Sequence, residues 1–291
     1  MIKSMTGYGK ASVAIAGGSI TIEIRTLNGK TADINIKTPL LPKDKELVIR
    51  QMLSKRLTRG TVDFYMNYDA NAASAAKTIN TAVVEEYFTR IREISERLGV
   101  KDNGASCLEA VLRFPDIFEG GRQEIIGDDN WSEVESAISA AIDAVCDYRE
   151  REGAALYKDV TRRVAGILVM EDEVEALEPE RIAAVRSRIE KALADMQVKT
   201  DPARFEEEMI YYLEKLDINE EKVRLRQHCK YFMDTIDGED YPGKKLGFII
   251  QEMGREINTT GSKANFAPIQ QIVVRMKDEL EKIREQSMNI L

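Results

Sequence analysis

The first 70 residues alternate between apolar and polar positions, as expected for strands that bury one face. Val, Ile and Thr are concentrated in three stretches, residues 11–16, 19–27 and 31–38, with turns at Gly17-Gly18 and Asn28-Gly29. Because Asn-Gly between two alternating runs is a strong hairpin signal, we expect the second and third stretches to pair. A helix over 42–57 and a strand over 61–68 follow, so the pattern predicts an antiparallel sheet backed by a helix.

Beyond residue 80 the apolar positions recur every three or four residues, which is the spacing of amphipathic helices. Ser132 and Glu135 form a capping box that predicts a helix running to about Leu177. Since Pro179 stands where a second long helix can begin, we expect an antiparallel helical hairpin that turns at Glu178-Pro179. Further helices are predicted over 84–98, from Asp201-Pro202 to about 232, from Pro242-Gly243 to a stop at Asn258–Gly261, and from about Pro268.

These elements predict an α+β fold with an N-terminal antiparallel sheet and helix, a long helical hairpin and a C-terminal helical domain. We expect the N-terminal α+β domain, with appended helices, to cover 1–155. The hairpin connection would cover 156–202, and the C-terminal helical domain, which we expect to be catalytic, would cover 203–291. Residues 71–76 are a low-complexity connection after the last strand.

The chain of 291 residues carries 42 Lys and Arg against 50 Asp and Glu, a net charge of −8. This balance argues against a uniformly basic, general polyanion binder, although a local basic patch stays open. No apolar run is long enough to span a bilayer and no signal-peptide-like segment opens the sequence, so we expect a cytoplasmic protein without membrane contact. Cys107, Cys146 and Cys229 are odd in number and widely spaced, which predicts buried free thiols.

Candidate chemistry is concentrated near the C-terminus. Glu252 and Glu256 are one helical turn apart, with Arg255 beside them, and two such carboxylates can hold one divalent cation or act as an acid/base pair. The same spacing is also typical of a solvated, salt-bridged helix face, which for this short motif alone is the commoner structure.

A second polar stripe precedes it. Asp217, Glu221, Arg224 and His228 recur at helical spacing on one predicted face, and His228 is the only histidine in the chain. A lone helical histidine is more often structural than a ligand. Here it follows a carboxylate on a stripe flanked by the basic residues Lys222, Arg226, Lys230, Lys244 and Lys245.

The order of these motifs resembles that of the YicC-like endoribonucleases. The resemblance extends almost from end to end and rests on the segments 3–10, 23–28, 57–63, 148–153, 217–221, 224–228 and 245–264. Gly247, Gly254 and the segment 29–31 depart from the residues that the family more often has. The first two departures could soften the helix and the third could change how a hairpin tip meets RNA.

The resemblance implies a cytoplasmic, metal-dependent endoribonuclease that assembles as a ring-like homohexamer around RNA. Within that frame, His228, Glu252 and Glu256, with support from Glu221 or Asp217, form an oxygen and nitrogen set that suits manganese or magnesium. Seven residues would hold RNA, with Arg224, Lys244, Arg255 and Lys263 on phosphates and Arg25, Asn28 and Arg59 along the backbone.

Two other function classes stay open at the level of sequence. The protein could be a non-catalytic RNA-binding adaptor for small RNAs, or a helical scaffold that binds no nucleic acid. The histidine on a carboxylate stripe favours the enzyme, because an adaptor has no need of it. No aromatic motif of the kind found in RNA-recognition sheets is visible, so RNA contact rests on charge and on the resemblance.

Overall fold

The structure, a computed structural model, describes residues 2–29, 31–71, 79–100, 104–118, 125–196 and 201–291. Its strands are β1 (Gly7–Ile15), β2 (Gly18–Leu27), β3 (Ala32–Lys37) and β4 (Gly60–Ala70). Its helices are α1 (Lys43–Leu57), α2 (Thr81–Arg97), α3 (Gly104–Val111), a 3-10 turn (Pro115–Ile117), α4 (Trp131–Asp195), α5 (Pro202–Lys215), α6 (Asn219–Gly238), α7 (Gly243–Ala264) and α8 (Ala267–Ser287). The predicted α+β class is confirmed. Lys30 and most of the connection predicted at 71–76 lie outside the described residues.

The sheet is mixed, not purely antiparallel as predicted. Its strand order is β1-β2-β4-β3, with β3 parallel to β4 and the other neighbours antiparallel. The predicted pairing of β2 with β3 is therefore wrong, because β4 lies between them. Helix α1 carries the chain from β3 across to β4, and a helical crossover is what joins parallel neighbours. Gly29 serves a close approach instead of a tight hairpin, since a Cβ there would lie 3.0 Å from the Thr61 nitrogen.

One face of the sheet forms a core with α1 and the N-terminal part of α4. The inward residues alternate along the strands, as predicted, and all are at most 1% exposed: Ile20, Ile22, Ile24, Val62, Phe64 and Met66. They pack with Leu53 of α1 and with Ile138, Ile142 and Val145 of α4. The opposite face of the sheet carries polar and aromatic side chains.

The predicted helical hairpin is wrong, because α4 continues through Pro179 as a single helix. Proline removes one helical hydrogen bond and crowds the preceding turn, but contacts from outside the helix can hold that turn in place. Arg181, only 3% exposed, donates from Nη1 to the Leu216 oxygen at 3.1 Å, and Lys222 Nζ donates to Glu178 Oε2 at 2.5 Å. With 65 residues the helix is roughly 100 Å long.

The second core lies between the C-terminal part of α4 and the helices α6, α7 and α8. Phe232, Leu246, Met253, Ile257 and Ile283, all fully buried, form its centre. No helix in the described ranges is both long enough and apolar enough to cross a membrane.

Other helix boundaries also differ from the prediction. The helix expected from Asp201 to 232 is two helices, α5 and α6, with Asp217 between them. Helix α7 continues past Gly261, which packs on Val273, and ends at Asn265 in the left-handed region (φ 37°). Asparagine tolerates that conformation, so it serves as the helix stop.

The capping box is not formed either, because α4 begins at Trp131 and Ser132 is already helical. Asn130 precedes the helix, and its side chain instead bonds the backbone of Gly127 and Ile125.

The two cores meet where the chain termini cross α4. Ser4 forms a bridge with Ile290, and the Met5 nitrogen donates to the Asn289 oxygen at 2.7 Å. The N-terminal segment passes directly over Gly153, where a Cβ would lie 2.2 Å from the Ile2 oxygen. One turn earlier, the Arg149 side chain is 3% exposed and donates to Thr26 Oγ1 and to the backbone oxygens of Met5, Leu57 and Arg59 at 3.0–3.2 Å.

Arg149→Lys should lower the free energy of unfolding by about 3 kcal/mol or more, because an ammonium cannot reach four separate buried acceptors. Urea denaturation followed by circular dichroism measures this loss. Arg151→Lys is the matched control, since Arg151 is exposed and, within the described residues, its side chain bonds the Asp147 oxygen one turn back and no other acceptor. It should change stability by less than about 0.5 kcal/mol. Equal losses in both variants would contradict the role of Arg149.

Candidate metal centre and its surroundings

Helices α6 and α7 form an antiparallel pair joined by residues 239–242. On their inner sides Leu225, Cys229 and Phe232 of α6 and Met253 and Ile257 of α7 fill the core. Burial raises the pKa of the Cys229 thiol to about 12, so this sulfur is inert at neutral pH. Polar side chains next to these buried stripes face each other across the helix pair, and they include the residues predicted as ligands.

His228, Glu252 and Glu256 come together across this pair. One donor atom from each lies within 4.8 Å of the other two. Their burial is graded, because Glu256 is buried, His228 is half-buried and Glu252 is exposed. The cluster is therefore open to solvent on one side and closed on the other, as a site that exchanges substrate requires.

The donor set fits a hard divalent cation. Glu256 is 4% exposed, and no hydrogen bond or ion pair from the described residues engages its carboxylate or the His228 ring. Two carboxylates this close repel each other, and a bound cation would remove that cost. Carboxylate oxygens with one imidazole nitrogen suit manganese or magnesium better than softer metals.

Glu221 and Asp217 do not join this cluster. Glu221 is buried on the same face of α6, but its Oε1 accepts a 2.8 Å bond from Lys263 Nζ. Its Oε2 is buried and has no hydrogen-bond partner within the described residues. Asp217 precedes α6 and is exposed, and its side chain accepts a bond from the Asn219 nitrogen at 3.2 Å. The continuous stripe predicted from 217 to 228 is therefore interrupted at its first residue.

The four cations predicted to hold phosphates lie on α6 and α7, and two of them form close ion pairs. Lys263 is held by Glu221, and Arg224 lies 2.5 Å from Glu220. Arg255 lies 4.0 Å from Glu252 and is largely exposed. Lys244, at the start of α7, is exposed and makes no hydrogen bond or ion pair with another described residue. It borders a groove between α7 and α8 that Arg284 also lines.

The residues predicted to track the RNA backbone belong to the sheet end of the molecule. Asn28 Nδ2 donates to the Met288 oxygen at 2.7 Å, which ties the end of β2 to the end of α8. Arg59 Nε donates to the Gly29 oxygen at 3.0 Å and so supports the same loop. Arg25 is exposed on the outer sheet face, between two tyrosines. Tyr8 and Tyr65 were missed because they are 57 positions apart, and only the strand register brings them together.

The opposite side of α6 faces α4, and charged side chains are buried between the two helices. The sequence pattern did not show which charged residues would be buried here. Lys222 is 4% exposed and pairs with Glu178. Arg226 pairs with Glu175 and Asp172, and its Nε lies 2.5 Å from Glu171. Glu171 is 1% exposed, and neither of its oxygens has a well-aligned donor within the described chain. Burial therefore raises the pKa of Glu171 to about 7, against the opposing effect of Arg226.

Comparison with known proteins identifies the family of this chain. Residues 2–158 match the family model described as "Endoribonuclease YicC-like, N-terminal region", and residues 174–291 match the one described as "Endoribonuclease YicC-like, C-terminal". The chain belongs to the YicC-like endoribonuclease family. The probable endoribonuclease YicC of Clostridioides difficile (strain 630) is 32% identical over 295 residues, and that of Haemophilus influenzae (strain Rd) is 30% identical over 294. Both alignments cover 100% of this chain and of the relative.

The division between the two family models follows the division of chemistry in the structure. His228, Glu252 and Glu256 all lie in the part that matches the YicC-like C-terminal model, and the sheet with Arg25 lies in the N-terminal part. Both models include a portion of α4, which is the helix that contributes to both cores.

The raised pKa of Glu171 predicts a pH dependence of stability. The folded state binds the Glu171 proton more tightly than the unfolded state does, whose carboxyl has a pKa of 4.5. This difference stabilises the folded protein fully below pH 4.5, and the stabilisation is lost as the pH rises to the folded-state pKa of about 7. The stability of the parent relative to Glu171→Gln should therefore fall by up to about 3 kcal/mol over this window. Denaturation series between pH 4.5 and 8 measure it.

Glu175→Gln is the control, because Arg226 lowers the pKa of that exposed carboxyl. Its stability difference from the parent should show no fall over the same window. If the stability difference between the parent and Glu171→Gln does not change with pH, the raised pKa of a buried, partly compensated Glu171 is contradicted.

Proposed function

We propose that this chain is an endoribonuclease that cleaves RNA phosphodiester bonds with a divalent metal held by His228, Glu252 and Glu256. The observation that carries the proposal is the convergence of these three side chains from two helices, with a largely buried Glu256 that no other described residue pairs with. The names of the family and of its two relatives supply the reaction class and the substrate, RNA.

The three residues have different parts in this proposal. Glu256 is fixed by its burial in α7, whereas Glu252 is exposed and free to adjust to substrate. A manganese or magnesium ion bound here supplies a Lewis acid for the phosphate and an activated water. His228 borders solvent on α6, so its ring nitrogen can either act as a ligand or hold a proton at the scissile phosphate.

Phosphate contacts would come from cations near the cluster that remain accessible. Arg255 stands beside Glu252 on α7, and its 4.0 Å separation from that carboxylate is long for an ion pair. Lys244 is exposed on the same helix. Lys263 and Arg224 would first have to leave Glu221 and Glu220, so their contribution depends on exchange of an existing ion pair.

The catalytic assignment predicts that His228→Ala and Glu256→Gln each slow cleavage of a labelled RNA in Mn²⁺ by a hundredfold or more. Chelation of the metal should stop the parent enzyme. Mn²⁺ should raise the melting temperature of the parent but of neither variant, because a ligand that binds only the folded state stabilises it. RNA binding in chelator should change less than about twofold.

Glu208→Gln is the matched control, since this carboxylate is exposed on α5, outside the cluster, and pairs with none of the described cations. It should cleave RNA and respond to Mn²⁺ like the parent. Cleavage at the parental rate by folded His228→Ala and Glu256→Gln would place the active site elsewhere. RNA binding by the parent without metal-dependent cleavage would favour the adaptor function.

We propose further that the chain works as a ring-like homo-oligomer, a hexamer as the family resemblance implies. Large apolar side chains on the C-terminal helices support assembly, because Ile210, Phe248 and Val274 are each more than half exposed. Light scattering at micromolar concentration should give about six times the 32.9 kDa of one chain. A mass of one chain would contradict assembly.

A further inference from the structure

The outer face of the sheet carries an aromatic and cationic cluster. In the strand register Tyr8 of β1 stands opposite Arg25 of β2, and Tyr65 of β4 stands diagonal to Arg25. The Arg25 guanidinium carbon lies 5.9 Å from the centre of the Tyr8 ring and 5.7 Å from that of Tyr65. Lys37 of β3 lies opposite Tyr65, with its Nζ 5.4 Å from the ring centre. Four side chains from four strands therefore form one continuous surface, the Tyr8–Tyr65 face.

This face is open to solvent. Helices α1 and α4 pack on the other side of the sheet, where the isoleucines of β2 are buried. Tyr8 is 41% exposed, and the Arg25 side chain is 60% exposed. Leu27, next along the same face, is 59% exposed. Exposed apolar side chains that adjoin one another, as Tyr8, Tyr65 and Leu27 do here, are typical of an interaction surface.

On this face, two acidic side chains lie closer to the sheet than the basic side chains beside them. The carboxylates of Glu23 and Asp63 are recessed, with side chains 21% exposed, and Lys37 Nζ donates to Asp63 at 2.9 Å. The side chains of Lys10 and Arg25 extend beyond them and are 51% and 60% exposed. Two carboxylates of this face are exposed, Asp33 on the edge strand and Asp69 near the end of β4. Next to the two rings, the most exposed charged side chains are those of Lys10, Arg25 and Lys37.

A surface of this kind matches unpaired nucleotides. Each base offers a flat face that stacks on a tyrosine ring or on a guanidinium plane, and the phosphates between bases suit the surrounding cations. Paired RNA hides its base faces, so a double helix would gain little from the rings. A flat protein partner would bury Arg25 and the polar residues Asn35 and Asn67, which lie on the same face.

We propose that the Tyr8–Tyr65 face is a stacking platform for single-stranded RNA, with Tyr8, Arg25 and Tyr65 each contacting a base. This inference rests on the proposed RNA substrate and adds a binding site separate from the metal centre. The sheet that carries the platform is linked to the C-terminal helices by the Asn28 bond to Met288 and by α4, which contributes to both cores. Its function is to select unpaired segments and hold them while another segment is cut.

The test uses the full-length protein in chelator, where cleavage is not needed, and a 12-nucleotide single-stranded RNA containing one 2-aminopurine. The parent should bind this probe and quench the 2-aminopurine, because stacking quenches it. Tyr8→Ala with Tyr65→Ala should weaken binding about tenfold or more and abolish the quenching. Tyr8→Phe with Tyr65→Phe should retain both, because the ring alone is required. The slope of affinity against salt should stay constant in the alanine variant, since no phosphate contact is removed.

Tyr148→Ala is the matched control, because Tyr148 is 42% exposed but lies on α4, on the other side of the sheet. It should bind and quench like the parent. If the double alanine variant fails to fold by circular dichroism, Tyr8→Ser alone, on the edge strand β1, replaces it with a smaller expected loss.

Each outcome decides between the claims. Unchanged binding and quenching in the folded alanine variants overturn the platform, whatever the protein does to RNA. A change of oligomeric mass in those variants with unchanged RNA affinity shows that the face joins copies of this chain, and also overturns it. If the alanine variants lose RNA binding and the parent does not cleave RNA, the platform stands and the proposed nuclease activity is overturned.

Discussion

The buried guanidinium of Arg149 is the interaction on which the arrangement of the two halves depends. It lies on α4 just before the helix leaves the sheet, and four acceptors from the N-terminal segment, β2 and the junction of α1 with β4 converge on it. No carboxylate pairs with it within the described residues, and burial lowers its pKa. A charge in this position is stable only if its donors are matched by fixed acceptors, so the site specifies one docking of the strands on the helix.

That constraint extends to the candidate metal centre through α4 and through the bonds between the N-terminal segment and the segment after α8. Beyond Gly153 the same helix forms one wall of the second core, and Glu171, Glu175 and Glu178 face the back of α6. The front of α6 carries His228. The helix that presents the candidate ligand is therefore clamped from behind by ion pairs and from in front by α7. Such a second layer is what holds ligands in a fixed geometry, and its partly compensated Glu171 is the part most sensitive to pH.

The sequence predicted most of the elements and the three clustered residues, because periodicity and i, i+4 spacing are local. It failed where distant contacts override local signals. Pro179 does not end its helix, since Arg181 in the same turn bonds Leu216 at the end of α5 and Lys222 of α6 bonds Glu178. Asn28-Gly29 does not make a hairpin, since the Gly29 backbone has to pass β4. Tyr8 and Tyr65 gave no signal at all, because cross-strand neighbours are set by register and not by spacing along the chain.

The pairing of the cations changes how this acidic protein can hold RNA. The chain has a net charge of −8, and Lys222, Arg224, Arg226 and Lys263 on α6 and α7 already face carboxylates, so these four cations are not free to displace counterions from a phosphate backbone. Base stacking and metal coordination are not weakened by this pairing of the cations, because neither requires net positive charge on the protein. Under the proposed function, nonspecific binding to double-stranded nucleic acid would be disfavoured, whereas an unpaired segment would keep two points of contact, the stacking platform and the metal. The acidic composition would then be compatible with an RNA substrate and would contribute to the choice among RNAs.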